Sequence, residues 1–329
     1  MPCRYSVLVV RSSRTRQVVM ADSIKGPASG TSQKAWKALV PSTCGANLYS
    51  MTDSPQHWHP PETRRFRSEA GSFLKQVPDS TGATALERIA AIARTYSRLP
   101  YENLSKLIKA RDHQAADRPR LPDEVLEDHL VRQLGGTCYA LTYYLMGILE
   151  TAGFEAAPLI CDMSWGNAAH TALRVDLPDS RYLVDPGYLV FVPVPMARQT
   201  VRRRRSTLDG IELHYDAAQD LYTLFTLRPG QRTRRYCFRD RPAELATFGR
   251  AWLASFQSPS MNGLCLTRVT PREMVYIHDD YLKITRPNGT EKARDRDRSR
   301  ALIQERFGIA PEIVAAAQAA LGSIRELET

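Results

Sequence analysis

The sequence lacks any apolar run near the roughly 20 consecutive residues that a membrane-spanning helix needs, which argues against a membrane protein. Cysteine is sparse: the six cysteines are irregularly spaced and form no C-x-x-C pair. This pattern argues against a zinc ribbon, a dithiol redox motif and a disulfide scaffold. We find no internal repeat. We therefore expect reduced thiols in a cytoplasmic protein without a bound metal ion.

Acidic residues are outnumbered, with 35 Asp and Glu against 45 Lys and Arg, which gives a net charge of +10. Such a balance suits nucleic acids or phosphorylated small molecules, or has no specific meaning. The basic residues are spread along most of the chain, and the dense run Arg202–Arg205 stands in neither a zinc-finger nor an RNA-binding pattern. We interpret this run as a solvated loop and expect no nucleic-acid partner.

Residues 1–60 differ from the rest, because they contain only two acidic residues and are rich in Ser, Thr, Gly and Pro. The basic residues follow the short apolar patch near the start, which is the reverse of a secretory signal. We predict a disordered or transit-like extension, with Met20 and Met51 as alternative starts.

Beyond this extension, the hydrophobic period changes from helical to strand-like along the chain. This pattern predicts a helical region at residues 61–155 and a β-rich region at residues 156–250. It predicts a mixed α/β C-terminal region at residues 251–329, which ends in a helix. A hairpin is expected about Asp279 and Asp280. Helices first and an antiparallel sheet second are typical of an α+β protein. The length of 329 residues allows two domains, or one domain with additions.

Cys138 follows two glycines and opens a strongly apolar helix. Glycines let the backbone turn sharply and leave room for a substrate, and a helix N-terminus favours the thiolate over the thiol. A thiolate at neutral pH still needs a basic partner. Cys138 is therefore the candidate nucleophile, whereas Cys161 and Cys265 alternate with apolar residues and are expected in the core.

His170 stands at the entry to a predicted strand, and Asp185 at the exit of the next one. Two antiparallel strands joined by a turn near Asp179 would bring the two side chains together, so that the carboxylate orients the imidazole. Taken singly, each residue has a structural explanation: a small core cysteine, a hydrogen-bonded histidine, and an aspartate that caps the Pro186-Gly187 turn. The order Cys, His, Asp on helix, strand and strand matches papain-like and transglutaminase-like enzymes.

The motifs around these residues resemble those of the arylamine N-acetyltransferases. The family's Arg-Gly-Gly-x-Cys-x-Glu-x-Asn is similar to residues 134–142, Leu-Gly-Gly-Thr-Cys-Tyr-Ala-Leu-Thr. Its Pro-Phe-Glu-Asn-Leu is similar to residues 100–104, with Tyr101 in place of Phe, and its Leu-Val-Asp-Val-Gly-Phe-Gly to residues 183–189. Residues 307–309 resemble the family's C-terminal end, and the likeness spans about residues 62–321.

This resemblance implies a helical first region, a β-barrel-like middle and an α/β third region. It also implies that Cys138 takes an acyl group from acyl-coenzyme A (acetyl-CoA) as a thioester, which an aromatic amine or hydrazine then attacks. His170 would act as the base, Asp185 would orient it, and the backbone amide of Cys138 would hold the oxyanion.

Several positions depart from the family pattern. Leu134 and Ala140 replace a charged pair, Thr142 replaces an Asn, and residues 188–191 are bulkier than the family's Gly-rich cofactor segment. Two proline residues fall where the family has a Pro-rich turn, at positions 193 and 195.

The departures leave three further functions open. The first is an amide synthase that uses a thioester bound to an acyl carrier protein, with Arg202–Arg205 facing the acidic carrier or the phosphates of coenzyme A. The second is a thiol hydrolase with water as acceptor. The third is a non-catalytic binding protein that kept the scaffold, which the complete Cys, His and Asp set argues against.

Overall fold

A computed structural model describes residues 58–79, 81–188, 190–198, 201–205, 210–228 and 230–327. The predicted extension at 1–60 lies outside these residues, except for its last three. Trp58 meets Trp252 edge-on, with ring centroids 6.0 Å apart. A Cβ at Gly249 would lie 2.8 Å from Pro60 Cδ, so this part of the chain packs closely. Residues 58–60 therefore belong to the body of the protein.

Eight α-helices occur in the described part of the chain, five before the strands of the main sheet and three after them. They are α1 (Arg67–Leu74), α2 (Ala85–Tyr96), α3 (Leu104–Asp112), α4 (Pro122–Arg132), α5 (Cys138–Thr151), α6 (Leu245–Ala254), α7 (Arg296–Leu302) and α8 (Pro311–Leu327). Short 3₁₀ turns lie at Thr63–Phe66, Ala115–Asp117, Ser255–Gln257 and Pro259–Met261, and a π turn at Ile303–Phe307.

Local sequence explains several helix ends. Thr84 and Glu87 form a reciprocal capping box at the start of α2. Pro122 stands at the first position of α4, where its missing N–H costs no helical hydrogen bond. Helix α5 is buried on every side from Cys138 to Leu149. A helix that is apolar all round belongs in a protein interior, so α5 is the central helix of the fold.

The main sheet is antiparallel and has eight strands. Its strands are β2 (Glu155–Met163), β3 (Gly166–Leu177), β4 (Ser180–Asp185), β5 (Val190–Pro195), β6 (Arg202–Arg205), β7 (Gly210–Asp216), β8 (Leu221–Arg228) and β9 (Gln231–Phe238). Their spatial order is β5-β4-β3-β2-β9-β8-β7-β6. The edge strands β5 and β6 approach one another, so the sheet curls into a nearly closed, barrel-like layer. Helix α5 packs against β2 and β3, and this contact brings the start of the helix to the sheet.

A second antiparallel sheet joins a short strand that precedes the main sheet in the chain to four strands that follow it. It has the order β1 (Tyr101–Glu102), β10 (Cys265–Val269), β11 (Met274–His278), β12 (Tyr281–Arg286) and β13 (Gly289–Arg294). The side chain of Asn103 fixes the junction, because its Oδ1 accepts from Cys265 N and its Nδ2 donates to Gly263 O. The predicted three-part division remains a prediction, and the link between β1 and β10 crosses two of its boundaries.

The predicted α+β class and the hairpin about Asp279 and Asp280 are confirmed. Two local expectations are wrong. The run Arg202–Arg205 is strand β6 and pairs with β7, not a solvated loop. The prolines at 193 and 195 lie in strand β5, not in a turn. Strand β5 is an edge of the sheet, where a residue without an N–H is tolerated. In the described part of the chain, no helix combines the length and apolar character of a membrane span.

A chain that begins at Met51 should fold as stably as the complete chain, because it keeps Trp58, which packs against Trp252. Urea unfolding should give free energies of unfolding within about 0.5 kcal/mol of each other. As a control, Trp58→Ala in the shortened chain should lose about 1–2 kcal/mol with the edge contact to Trp252. Precipitation or a larger loss on shortening would show that stabilising contacts precede residue 51.

Candidate active site

The turn before Cys138 is clamped against strand β1. A Cβ at Gly135 would lie 1.9 Å from the carbonyl oxygen of Pro100, so only glycine fits there. The N–H of Gly136 donates to Pro100 O at 3.4 Å, and Gly136 O accepts from Glu102 N at 3.0 Å. The chain then enters α5 with Cys138 as its first residue. Two sequence motifs that lie far apart in the chain therefore meet at the candidate nucleophile.

The hairpin of β3 and β4 brings His170 and Asp185 together. The strands pair with Leu173 opposite Val184, and on its other side β4 pairs with β5, with a shift of register between Leu183 and Asp185. His170 is 3% exposed, and Asp185 is fully buried. Nε2 of His170 lies 2.8 Å from Oδ2 of Asp185.

Gly187 brings Cys138 to this pair. A Cβ at Gly187 would lie 2.6 Å from Cβ of Cys138 and 3.1 Å from Cε1 of His170. Real Cβ atoms do not approach as closely as 2.6 Å, so the backbone of residue 187 can lie against both side chains only because it is glycine. The three residues selected from the sequence therefore share one buried neighbourhood, with Cys138 itself 7% exposed.

Asp185 makes both of the contacts that the sequence left as alternatives. Its Oδ1 accepts a hydrogen bond from the backbone N–H of Tyr188 at 2.8 Å, which caps the turn after β4. Its Oδ2 faces His170. The carboxylate is thus held on one side by the turn and presents its other oxygen to the imidazole.

The surroundings raise the pKa of His170. Burial is the largest effect and lowers the pKa, because it penalises the imidazolium. The charge of Asp185, its hydrogen bond and the hydrogen bond with Cys138 outweigh burial and raise the pKa to about 10. His170 is therefore an imidazolium at neutral pH, beside the thiol that it can hold as a thiolate.

Two tyrosines enclose the imidazole, and the sequence analysis did not single them out as site residues. The ring of Tyr236 lies 4.7 Å from that of His170, and Tyr188 meets His170 edge-on at 5.8 Å. Burial raises the pKa of Tyr236, and the charge of Asp185 adds to this effect. The guanidinium of Arg235 lies over the ring of Tyr188 at 5.5 Å. The sequence places Tyr188 directly after the Asp185 turn, so its position near His170 could have been predicted. Tyr236 lies in β9, and only the tertiary structure brings it to His170.

A buried lysine also lies in this region. Lys106 is 5% exposed, and its Nζ donates to Ser255 O at 2.7 Å and to Ser255 Oγ at 2.8 Å. Burial lowers the pKa of Lys106 to about 8, and the negative charge of Cys138 acts in the opposite direction. Lys106 thus adds a second cationic group to the electrostatic surroundings of Cys138. Its signal in the sequence was a charged residue in the middle of the apolar face of α3.

The other two cysteines that the structure describes as free thiols are poor candidates for a nucleophile. Cys161 is fully buried in β2 opposite His170, and burial raises its pKa, with the charge of Asp185 adding to the rise. Cys265 is partly exposed, and burial of its thiol is the main reason that its pKa rises to about 12. Cys3 and Cys44 lie outside the described residues. Cys237 is disulfide-bonded rather than a free thiol, so the expectation of reduced thiols is wrong at this position.

Most of the described positions that depart from the family motifs are buried. Leu134, Ala140 and Thr142 have exposures of 3%, 4% and 0%, and Thr142 Oγ1 donates to Thr171 O at 3.3 Å. Val190 and Phe191 belong to strand β5 and the apolar core, so they do not extend a cofactor loop, and Leu189 lies outside the described residues.

The basic strand β6 is partly neutralised within its own sheet. Arg203 and Arg232 both bond the carboxylate of Glu212, at 2.9 Å and 2.7 Å, although Glu212 is 2% exposed. Burial is the largest effect on the pKa of Glu212 and raises it, but the bonds from both arginines outweigh burial and lower it. Among the described residues, no cluster of three or more His, Cys, Asp or Glu side chains is arranged to hold a metal ion.

Solved structures share this architecture. The arylamine N-acetyltransferase from Salmonella typhimurium superimposes with a TM-score of 0.63 at 17% identity, covering 77% of this chain and 98% of that one. The Mycobacterium marinum enzyme, whose structure contains CoA, gives a TM-score of 0.62 at 20% identity, with coverage of 77% and 98%. These similarities establish the fold: an α+β protein with a nearly closed, barrel-like sheet.

Sequence comparison identifies the family. The arylamine N-acetyltransferase of Mycolicibacterium smegmatis is 28% identical over 262 residues, which cover 73% of this chain and 92% of that protein. The relatives named here are acetyltransferases, and they give no support to the amide synthase or the thiol hydrolase. A family model described as N-acetyltransferase matches residues 85–315, which is more than half of the chain. The chain therefore belongs to the arylamine N-acetyltransferase family, a family of N-acyltransferase enzymes.

Proposed function

We propose that this protein transfers an acetyl group from acetyl-CoA to an aromatic amine or hydrazine through a thioester on Cys138. One observation carries the proposal: Cys138 and His170 both pack against Gly187, while Nε2 of His170 bonds Asp185 at 2.8 Å. A buried thiol, an imidazole and a carboxylate that contact one another in this order form a triad suited to nucleophilic acyl transfer. The CoA found in the Mycobacterium marinum relative supports coenzyme A as the carrier of the acyl group.

In the first half-reaction, the Cys138 thiolate attacks the carbonyl carbon of the acetyl thioester and a new S–C bond forms. The backbone N–H of Cys138 stands at the first position of α5, where an amide has no acceptor within its own helix. This N–H donates to the oxyanion of the tetrahedral intermediate. The bond to the coenzyme A sulfur then breaks, and His170 gives its proton to the leaving thiolate. Free coenzyme A leaves, and neutral His170 remains beside acetyl-Cys138.

In the second half-reaction, the amine nitrogen attacks the carbonyl of acetyl-Cys138 and an N–C bond forms. Neutral His170 accepts the proton that the amine loses, and the C–S bond breaks. The products are the N-acetylated amine and the original pair of thiolate and imidazolium. Throughout both steps, Asp185 keeps Nε2 of His170 protonated and directed away from Cys138, which leaves Nδ1 for the proton transfers.

Cys138→Ala should remove acetyl transfer, because no other described thiol combines a helix start with a neighbouring imidazolium. Intact-protein mass measurement after mixing with acetyl-CoA should show one acetyl group on the wild type and none on the variant. Cys265→Ala is the matched control and should be acetylated at close to the wild-type rate. Normal acetylation of Cys138→Ala protein would contradict the assignment of the nucleophile.

Asp185→Asn should preserve the turn, since the amide oxygen of Asn can still accept from Tyr188 N. The amide nitrogen would face Nε2 of His170 and impose the wrong tautomer, so we expect the turnover rate to fall by about four orders of magnitude. The control is Asp162→Asn, because Asp162 also accepts from a backbone N–H, that of Ala168 at 2.9 Å, without pairing with His170. Both rates are measured well below the melting temperature of either variant. Comparable rates would show that Asp185 serves only as a cap of the turn.

The rate of thiol labelling at neutral pH tests the ion pair. The raised pKa of His170, about 10, keeps its imidazole charged at neutral pH. An imidazolium beside a thiol favours the reactive thiolate, so iodoacetamide should label Cys138 about tenfold faster in the wild type than in His170→Gln at pH 7. Equal labelling rates for the two proteins at pH 7 would contradict the pairing.

A further inference from the structure

The carbonyl group of Gly135 has a buried guanidinium as its partner. Nη1 of Arg120 donates to Gly135 O at 2.6 Å and to Ser105 Oγ at 2.8 Å. Nη2 of the same side chain donates to Oδ2 of Asp128 at 2.5 Å. The Arg120 side chain is 4% exposed. One planar group therefore connects α3, α4 and the turn that leads into Cys138.

The charge of Arg120 is balanced at this position. Its Nη1 lies 3.6 Å from Oε1 of Glu102, a carboxylate that is fully buried. The two oxygens of Glu102 also accept from the side chain and the backbone N–H of Ser105, at 2.6 Å and 3.0 Å. Asp128 shares its second oxygen with Arg132, whose side chain is 59% exposed. The buried network thus contains one guanidinium between two carboxylates, which satisfies the requirement for pairing in an interior.

The position of this arginine in the chain is unexpected. The family motif Arg-Gly-Gly-x-Cys has an arginine four residues before the cysteine, and this chain has Leu134 at that position. Leu134 is 3% exposed and belongs to an apolar cluster with Leu104 and Leu107, so it serves as a core residue. The guanidinium that reaches the turn comes instead from Arg120, in the segment before α4.

The start of α5 depends on this turn for its placement. Thr137, at the N-cap, makes no side-chain capping bond to the helix. Leu134 N donates to Asp128 O at 3.2 Å, which ties the turn to the same helix that carries Arg120's partner. The contacts of Cys138 with Gly187 and His170 are close enough that a small displacement of the turn would open them.

We propose that Arg120 is a positioning residue that holds the Gly135-Gly136 turn against β1, so that Cys138 meets Gly187 and His170. The effect of Arg120 on catalysis rests on the proposed thioester chemistry. The effect of Arg120 on the reactivity of Cys138 is independent of that chemistry, because a thiol can be labelled without any acyl donor.

Arg120→Lys tests this role, since a compact ammonium group cannot span Gly135 O, Ser105 and Asp128 at once. We expect acetylation of Cys138 to slow by about 100-fold, the cost of a displacement of about 1 Å at a reacting group. Labelling by iodoacetamide at pH 7 should slow by about tenfold, as in His170→Gln, because the thiolate loses its imidazolium. Arg132→Lys is the matched control, and its labelling and acetylation should stay within about twofold of the wild type.

A second variant covers the case in which Arg120→Lys does not fold. Asp128→Asn keeps the shape of the side chain but removes the charge-assisted bond to Nη2 of Arg120. It should slow the labelling of Cys138 at pH 7 as well, with a smaller loss of about tenfold in acetylation. Wild-type rates of labelling and acetylation in the folded variants would overturn the proposal. Losses no larger than the unfolded fraction measured by circular dichroism would also overturn it. If the wild type is not acetylated by acetyl-CoA, the proposed function fails, while the labelling rates still decide the role of Arg120.

Discussion

The buried hydrogen bond between His170 and Asp185 is the interaction on which the site depends. Both side chains are almost completely removed from water, and an isolated buried ion costs several kcal/mol. Pairing offsets that cost, and it also gives His170 the raised pKa that a partner for a thiolate requires. Removing one member of such a pair typically costs about 3–5 kcal/mol, because the remaining charge is left buried without a partner. The folded state and the proposed chemistry therefore both require the contact between Nε2 of His170 and Oδ2 of Asp185.

Two glycines allow Cys138 to lie close to His170 and Asp185. At Gly187 the backbone lies against Cys138 and His170, and at Gly135 it lies against Pro100 O. In both places a Cβ would overlap its neighbours. The turn after β4 can therefore approach the start of α5 closely, and the turn before α5 can approach Pro100. The geometry of the thiol and the imidazole thus follows from close backbone packing at the two turns.

The sequence allowed the central residues of the candidate site to be chosen, because their signals are local. Two glycines before Cys138, an apolar helix after it, and strand patterns around His170 and Asp185 are all read within a few residues. The hairpin of β3 and β4 follows from the same alternation. The resemblance to three family motifs added the order in which these residues cooperate.

Other features required the fold. Tyr236 reaches His170 from β9, and Lys106 reaches Ser255 from α3, so neither contact has a signature near the residue itself. Arg120 looks like any surface arginine in the sequence, yet it is buried between two carboxylates. The sequence does not predict strand β6, because four consecutive arginines show no alternation of apolar and polar residues. The strand forms by pairing with β7, which depends on the tertiary structure. These features depend on which distant segments meet, which local periodicity does not encode.

The central claim is that His170 is charged beside the Cys138 thiolate at neutral pH. Nuclear magnetic resonance of the protein with ¹⁵N-labelled histidine measures this directly, since the chemical shifts of Nδ1 and Nε2 differ between imidazolium and neutral imidazole. With a pKa raised to about 10, His170 should show both nitrogens protonated at pH 8 in the wild type. A neutral imidazole at pH 7, with one unprotonated nitrogen, would contradict the account.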